Sequence, residues 1–97
     1  MTRSIHRLAA VELEAAAKFD AHEAGTRVAV RFLDEFERVV HLLERHPGVG
    51  STTADGRFAL PLVGFPYTVI YRLLGEEVRA LVVRHQRRDP AQGDNRQ

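Results

Sequence analysis

Cysteine is absent from the 97 residues. That excludes disulfide scaffolds, thiolate zinc sites and cysteine nucleophiles together. Neither sign of charge dominates: 14 basic and 13 acidic side chains leave a net charge of +1. Total charge therefore argues for neither nucleic acid nor a membrane surface as the partner. No apolar run approaches the ~20 residues that span a bilayer. Met1-Thr2-Arg3-Ser4 leads into a mixed stretch, not the apolar core and cleavage site of a signal peptide, so the expected compartment is the cytoplasm. The histidines, His6, His22, His41, His46 and His85, are scattered. Only His41 and His46 are close, and a spacing of five puts them on different faces of a helix. Metal and cofactor are both expected to be none, because closed metal sites want ligands at fixed spacing.

What is present is ordinary globular material, 44% apolar and 28% charged, long enough for one domain. Arg3 to Leu8 reads as a short strand. From Ala9 to Ala24 the chain is rich in Ala, Glu and Leu, good helix formers, and Gly25 is a natural stop. Thr26 is placed to cap a second helix from about Arg27 to His46. That helix carries Val28, Ala29, Phe32, Leu33, Phe36, Val39, Val40 and Leu43 in one stripe. So short a break demands an antiparallel helical hairpin.

Pro47 to Gly56 reads as a loop. Phe58, Leu60 and Leu62 then alternate with Arg57, Ala59 and Pro61. Proline cannot donate to a ladder, so this strand should lie at an edge or bulge there. Tyr67 to Leu74 is β-branched and aromatic and reads as a central strand. Val78 to Arg84 is the last strand, its consecutive apolar residues from Ala80 to Val83 implying burial on both faces. Residues 91–97 have no apolar anchor after Ala91, and a disordered tail is expected there. The plan is α+β: an N-terminal short strand, then an antiparallel helical hairpin packed on a small antiparallel sheet. It forms a single domain over residues 1–90.

Three stretches carry a resemblance. Arg31-Phe32-Leu33-Asp34 opens an amphipathic run ending at His46-Pro47; the middle strand reads Phe65-Pro66-Tyr67-Thr68-Val69-Ile70-Tyr71-Arg72; the last strand ends His85-Gln86-Arg87-Arg88-Asp89-Pro90. In this order, from about residue 4 to 90, the chain resembles the RelE/ParE toxin superfamily, and its ParE branch in particular. The resemblance implies the toxin of a type II toxin–antitoxin pair, neutralised by a cognate antitoxin that wraps it. ParE-like members are associated with poisoning DNA gyrase, RelE-like members with cutting messenger RNA on the ribosome.

A metal-free nuclease must take the proton of the 2′-hydroxyl and neutralise charge on the phosphate. RelE-like enzymes resemble one another in placing an arginine three residues before the tyrosine of the middle strand; here that position is Thr68, before Tyr71. A His or Tyr just past the last strand is replaced by Gln86-Arg87, with His85 next door. These departures favour a toxin that binds a protein target, plausible as gyrase, without catalysing a reaction. The expected target-binding residues are Arg72, Arg79, Arg84, His85, Arg87 and Arg88. The alternative, a ribosome-dependent endonuclease, would use Arg72, His85 and Arg87. A third reading is an inactive toxin-fold module that only binds antitoxin: ParE-like chains often end in aromatic residues, and this one has Ala91-Gln92-Gly93-Asp94. Membrane and direct DNA binding are not expected. Apolar surface left over on the first helix, around Leu13, Ala16, Ala17 and Phe19, is the expected antitoxin contact.

Overall fold

The computed structural model describes residues 1–87 and 91–97. The chain runs β1 (Thr2–Ile5), α1 (Arg7–Ala24), α2 (Thr26–Arg45), β2 (Ser51–Thr52), β3 (Phe58–Pro61), β4 (Tyr67–Leu74) and β5 (Glu77–His85). The strands form one sheet in the order β1-β5-β4-β3-β2. β1 lies parallel to β5, and the other pairings are antiparallel. The sheet is therefore mixed, not antiparallel throughout. It gains β2 from the stretch expected to be loop.

Local chemistry sets the helix ends. The extended backbone of His6 ends β1, and its Nδ1 accepts from the Leu8 N–H at 3.0 Å. This imidazole cap starts α1 at Arg7, two residues before the expected Ala9. A single residue, Gly25, separates the helices, at φ +96° and ψ 164°. That region is essentially restricted to glycine. Gly25 ends α1 and begins α2, so Thr26 is the first helical residue rather than the cap, and no side chain caps α2.

α2 is the core helix. Ala29, Phe32, Phe36, Val39, Val40 and Leu43 are buried along its expected stripe, while Leu33 stays exposed. They meet Tyr67, Val69 and Tyr71 of β4 and Val78, Ala80 and Val83 of β5. α1 buries only Ala9 and Ala16 and leaves Leu8, Val11 and Phe19 exposed. Pro61 is the last residue of β3, past the two residues that β2 pairs, so the ladder asks no bond of its missing N–H.

Tyr71 is fully buried and stacks on Phe58, with ring centroids 5.2 Å apart. Its hydroxyl donates to the Pro47 carbonyl at 2.8 Å and accepts from the Gly50 N–H at 3.0 Å. The phenol thus ties the chain leaving α2 onto the sheet. A Cβ at Gly50 would stand 2.7 Å from the Tyr71 hydroxyl, so the close approach requires glycine.

Candidate target-binding face

The sheet has one face under the helices and one away from them. On β4, Tyr67, Val69, Tyr71 and Leu73 pack toward the helices. Alternation turns Thr68, Ile70 and Arg72 to the open face. On β5 the parity changes. Val82 pairs with Ile70 and Ala80 with Tyr71, which leaves Leu81 as a bulge residue. Arg79 pairs with Arg72 and Arg84 with Thr68. Arg79 and Arg84 are five residues apart and would point to opposite faces of a regular strand. The bulge puts both on the open face, a re-aiming that bulges commonly perform.

Arg57, one residue before β3, completes the cluster. The register that sets Phe58 opposite Tyr71 brings residue 57 beside Arg72. Like charges directly opposite on a sheet are destabilising, so the Arg72–Arg79 pair is a cost that the fold itself does not explain. Between the arginines lies a small apolar floor of Ile70, Val82 and Ala59. Glu77 stands at the β1 margin, accepting from Ser4 Oγ at 2.6 Å, and Arg79 donates to the same Ser4 Oγ at 3.1 Å.

Residues 91–97 lie over this face. The segment expected to be disordered forms turns and is held by polar groups from elsewhere in the chain. Arg57 donates to the carbonyls of Gly93 (2.8 Å), Asp94 (2.5 Å) and Arg96 (2.6 Å). It is the buried charged residue of the described chain, at 7% exposure. Arg84 donates to the Gln92 carbonyl at 2.7 Å and Arg79 to the main-chain oxygen of Gln97 at 3.2 Å. The tail does lack an apolar anchor, as its composition says. Its partners are arginines and one glutamate far away in sequence.

That glutamate is Glu12 on α1. β1 covers β5 only from Glu77 to Ala80, so the outer edge of β5 beyond it needs other partners. Glu12 accepts from the Val83 N–H at 3.0 Å, from Arg96 at 2.7 and 2.9 Å, and from Gln92. Arg96 also donates to the Leu81 carbonyl at 3.0 Å. Burial alone would raise the Glu12 carboxyl; the bonds from Arg96, Val83 and Gln92, with the Arg96 charge, outweigh it and hold the carboxyl below its usual range.

His85 stands apart. It lies opposite Tyr67 on the helix side, edge-on to that ring at 5.1 Å, and its Nδ1 accepts from the Arg87 N–H at 3.1 Å. Arg87 is exposed past the end of β5. Arg88 lies outside the described residues. Of the expected binding residues, the sheet therefore assembles Arg72, Arg79 and Arg84 and separates His85 from them. Arg72 is five residues along β4 from Tyr67, about 17 Å at strand spacing, and on the other face.

The family model described as ParE toxin of type II toxin-antitoxin system, parDE, matches residues 4–90. The chain belongs to the ParE toxin family. Among solved structures it is similar to a chain titled "Chromosomal ParDE TA system from P. aeruginosa". The two share a TM-score of 0.76 and 23% identity, over 88% of this chain and 95% of that one. That likeness shows the fold: an N-terminal strand and two helices on a five-stranded mixed sheet. Comparison with curated proteins gives no match.

Within this ParE-family fold, Arg57, Glu12 and Arg96 are the site residues that sequence reading misses. The alternation of Arg57, Ala59 and Pro61 against Phe58, Leu60 and Leu62 already sets Arg57 on the face away from the helices. Glu12 and Arg96 are 84 residues apart, and no local pattern links them.

Proposed function

We propose that this ParE-family toxin acts by binding a protein target, DNA gyrase, through the open-face arginines Arg72, Arg79 and Arg84, and that a cognate antitoxin neutralises it in the cytoplasm. One observation carries the reading: Arg72 and His85 stand on opposite faces of the sheet. Metal-free RNA cleavage needs a charge carrier and a proton carrier at one phosphate, and Arg72 cannot meet His85 there, which leaves Arg87 as the alternative's one cation beside His85. Tyr71 is buried on the helix side with its hydroxyl engaged by Pro47 and Gly50, so that phenol does not stand beside Arg72 for proton work. A basic face with an apolar floor suits an acidic protein surface, where clustered charge speeds and orients association.

The antitoxin reading rests on α1, where Leu13, Ala16 and Ala17 pack on the core instead of forming the expected leftover surface and Phe19 alone of those four stays exposed. Leu8, Val11, Ala15 and Phe19 fall within one turn-to-turn stripe on its outer face, and Val11 and Phe19 are 56% and 59% exposed. The stripe borders an open groove of about 450 Å³ between α1 and the end of β5, lined by Ala15, Phe19, Tyr67, Val83 and His85. An amphipathic antitoxin helix fits such a groove by its i, i+3, i+4 anchors.

The test is induction of the chain without antitoxin, scoring growth and message integrity together. Arrest with intact message is the expected result. Cut message would move the function to RNA cleavage, and normal growth would make the chain an inactive antitoxin-binding module.

A further inference from the structure

Three arginines of the open face, Arg57, Arg79 and Arg84, are already occupied, and by a segment of the same chain. Resting on the reading of that face as a protein-binding surface, we infer that residues 92–97 are a cis-acting strap closing a four-arginine site, Arg57, Arg72, Arg79 and Arg84, for an extended acidic peptide segment of a partner.

What the arginines hold identifies the ligand class. Among the described residues, the side chains that reach the strap's main chain are guanidiniums on main-chain oxygens: Arg57 on Gly93, Asp94 and Arg96, Arg84 on Gln92, and Arg79 on Gln97. The Asp94 carboxylate stands 3.9 Å from Arg84. Gly93 lies directly on the apolar floor. It has φ +82°, and a Cβ there would come within 2.3 Å of a Val82 methyl. The face therefore accepts a peptide backbone at close range, with carbonyls and a carboxylate turned to the arginines. Arginines serve carboxylate and phosphate alike; the apolar floor under Gly93 is what matches a polypeptide better than a phosphate chain.

The strap is also a weak occupant. The side chains of residues 92–97 carry one acid, Asp94, and one base, Arg96, and the strap gives Arg57 and Arg84 neutral carbonyls where carboxylates would bind more strongly. Charge-assisted hydrogen bonds are roughly twice as strong as neutral ones. Arg72 has no described partner, so the strap leaves one arginine of the site unused. The strap is held at its far side by Glu12, through Gln92 and Arg96. An acidic peptide gains at each arginine what the strap does not supply, and it displaces the strap by competition.

The test uses the full chain. Gly93→Val puts a branched side chain against Val82 at a backbone conformation that valine resists, and Gln92→Ala/Arg96→Ala releases the Glu12 anchor without touching the floor. Fluorescein-labelled hexaglutamate is titrated by anisotropy at low salt, with circular dichroism confirming the fold. Both variants should bind the probe at least tenfold more tightly than the parent chain, and adding Arg79→Ala/Arg84→Ala should remove the gain. Equal affinities in parent and both variants would overturn the strap. Tighter binding of a single-stranded oligonucleotide of the same charge would overturn the peptide class. A strap-dependent gain in a chain that leaves gyrase untouched would uphold the strap and remove only the gyrase reading.

Discussion

Replacing Tyr71 by Phe tests whether one hydroxyl fastens the helical layer to the sheet. The ring is fully buried and its stack on Phe58 needs no oxygen, so the substitution removes only the two hydrogen bonds to Pro47 and Gly50. A typical bond contributes about 1 kcal/mol net, and a partner left buried without one costs about 1–3 kcal/mol. Pro47 and Gly50 are half-buried, so water reaches them partly and the lower end applies to each. The expected loss is about 2 kcal/mol. For a domain of this size that lowers Tm by about 8–16 °C. Thermal and urea unfolding read it directly, with an unchanged m-value showing that the fold persists. Gly50→Ala sharpens the assay, because its Cβ would stand 2.7 Å from the hydroxyl but 3.0 Å from the ring carbon Cε1 and the Ala59 carbonyl. Removing the hydroxyl should therefore relieve part of the Gly50→Ala penalty, and the double-mutant cycle should couple by at least about 0.5 kcal/mol. A Tyr71→Phe chain within about 0.5 kcal/mol of the parent, or strict additivity with Gly50→Ala, would refute the fastening.

Four further outcomes are expected. Gly25→Ala meets no atom within 4 Å but must hold φ +96° and ψ 164°, so it should destabilise by about 1–3 kcal/mol through backbone strain alone, measured by chemical denaturation. Arg57→Met should raise hydrogen exchange across residues 92–97 at least tenfold, since three carbonyls lose their donor, while amides of α2 stay protected. Glu12 has a folded pKa below that of the unfolded chain, so its stabilisation is fully present above the unfolded value and is lost as pH falls through the folded one. The exchange protection of residues 92–97 should therefore fall in acid, and Glu12→Gln should flatten that dependence. Phe19→Asp, on the exposed face of α1, should weaken antitoxin binding at least tenfold in a pull-down titration while leaving growth arrest intact.

Much of the fold is legible in the sequence because burial imposes a period. The α2 stripe has the spacing of one helix face, and six of its members are buried as that spacing implies. β4 and β5 announce themselves by branched and aromatic residues, and the unbroken apolar run of β5 does serve two faces. β2 is not legible, because Ser51 and Thr52 carry no apolar signal and pair only through backbone. The parallel direction of β1 depends on a partner some 75 residues away, which no local pattern encodes. The helix break is visible at Gly25. Which residue caps is decided by a backbone conformation, not by the hydroxyl of Thr26.

The site is legible only in part, and the Leu81 bulge explains the division. Simple alternation cannot tell that Arg79 and Arg84 share a face or that His85 leaves it. The Arg72–Arg79 pairing follows from the hairpin and is readable. The tail's attachment depends on Arg57 and Glu12, whose contacts with it span 36 to 84 residues.

The most direct measurement is gyrase supercoiling of relaxed plasmid with the purified chain, beside its Arg72→Ala/Arg79→Ala/Arg84→Ala variant. The account predicts inhibition by the parent chain and its loss in the variant. Full supercoiling in the presence of the parent chain, or inhibition that the triple substitution leaves unchanged, would contradict it.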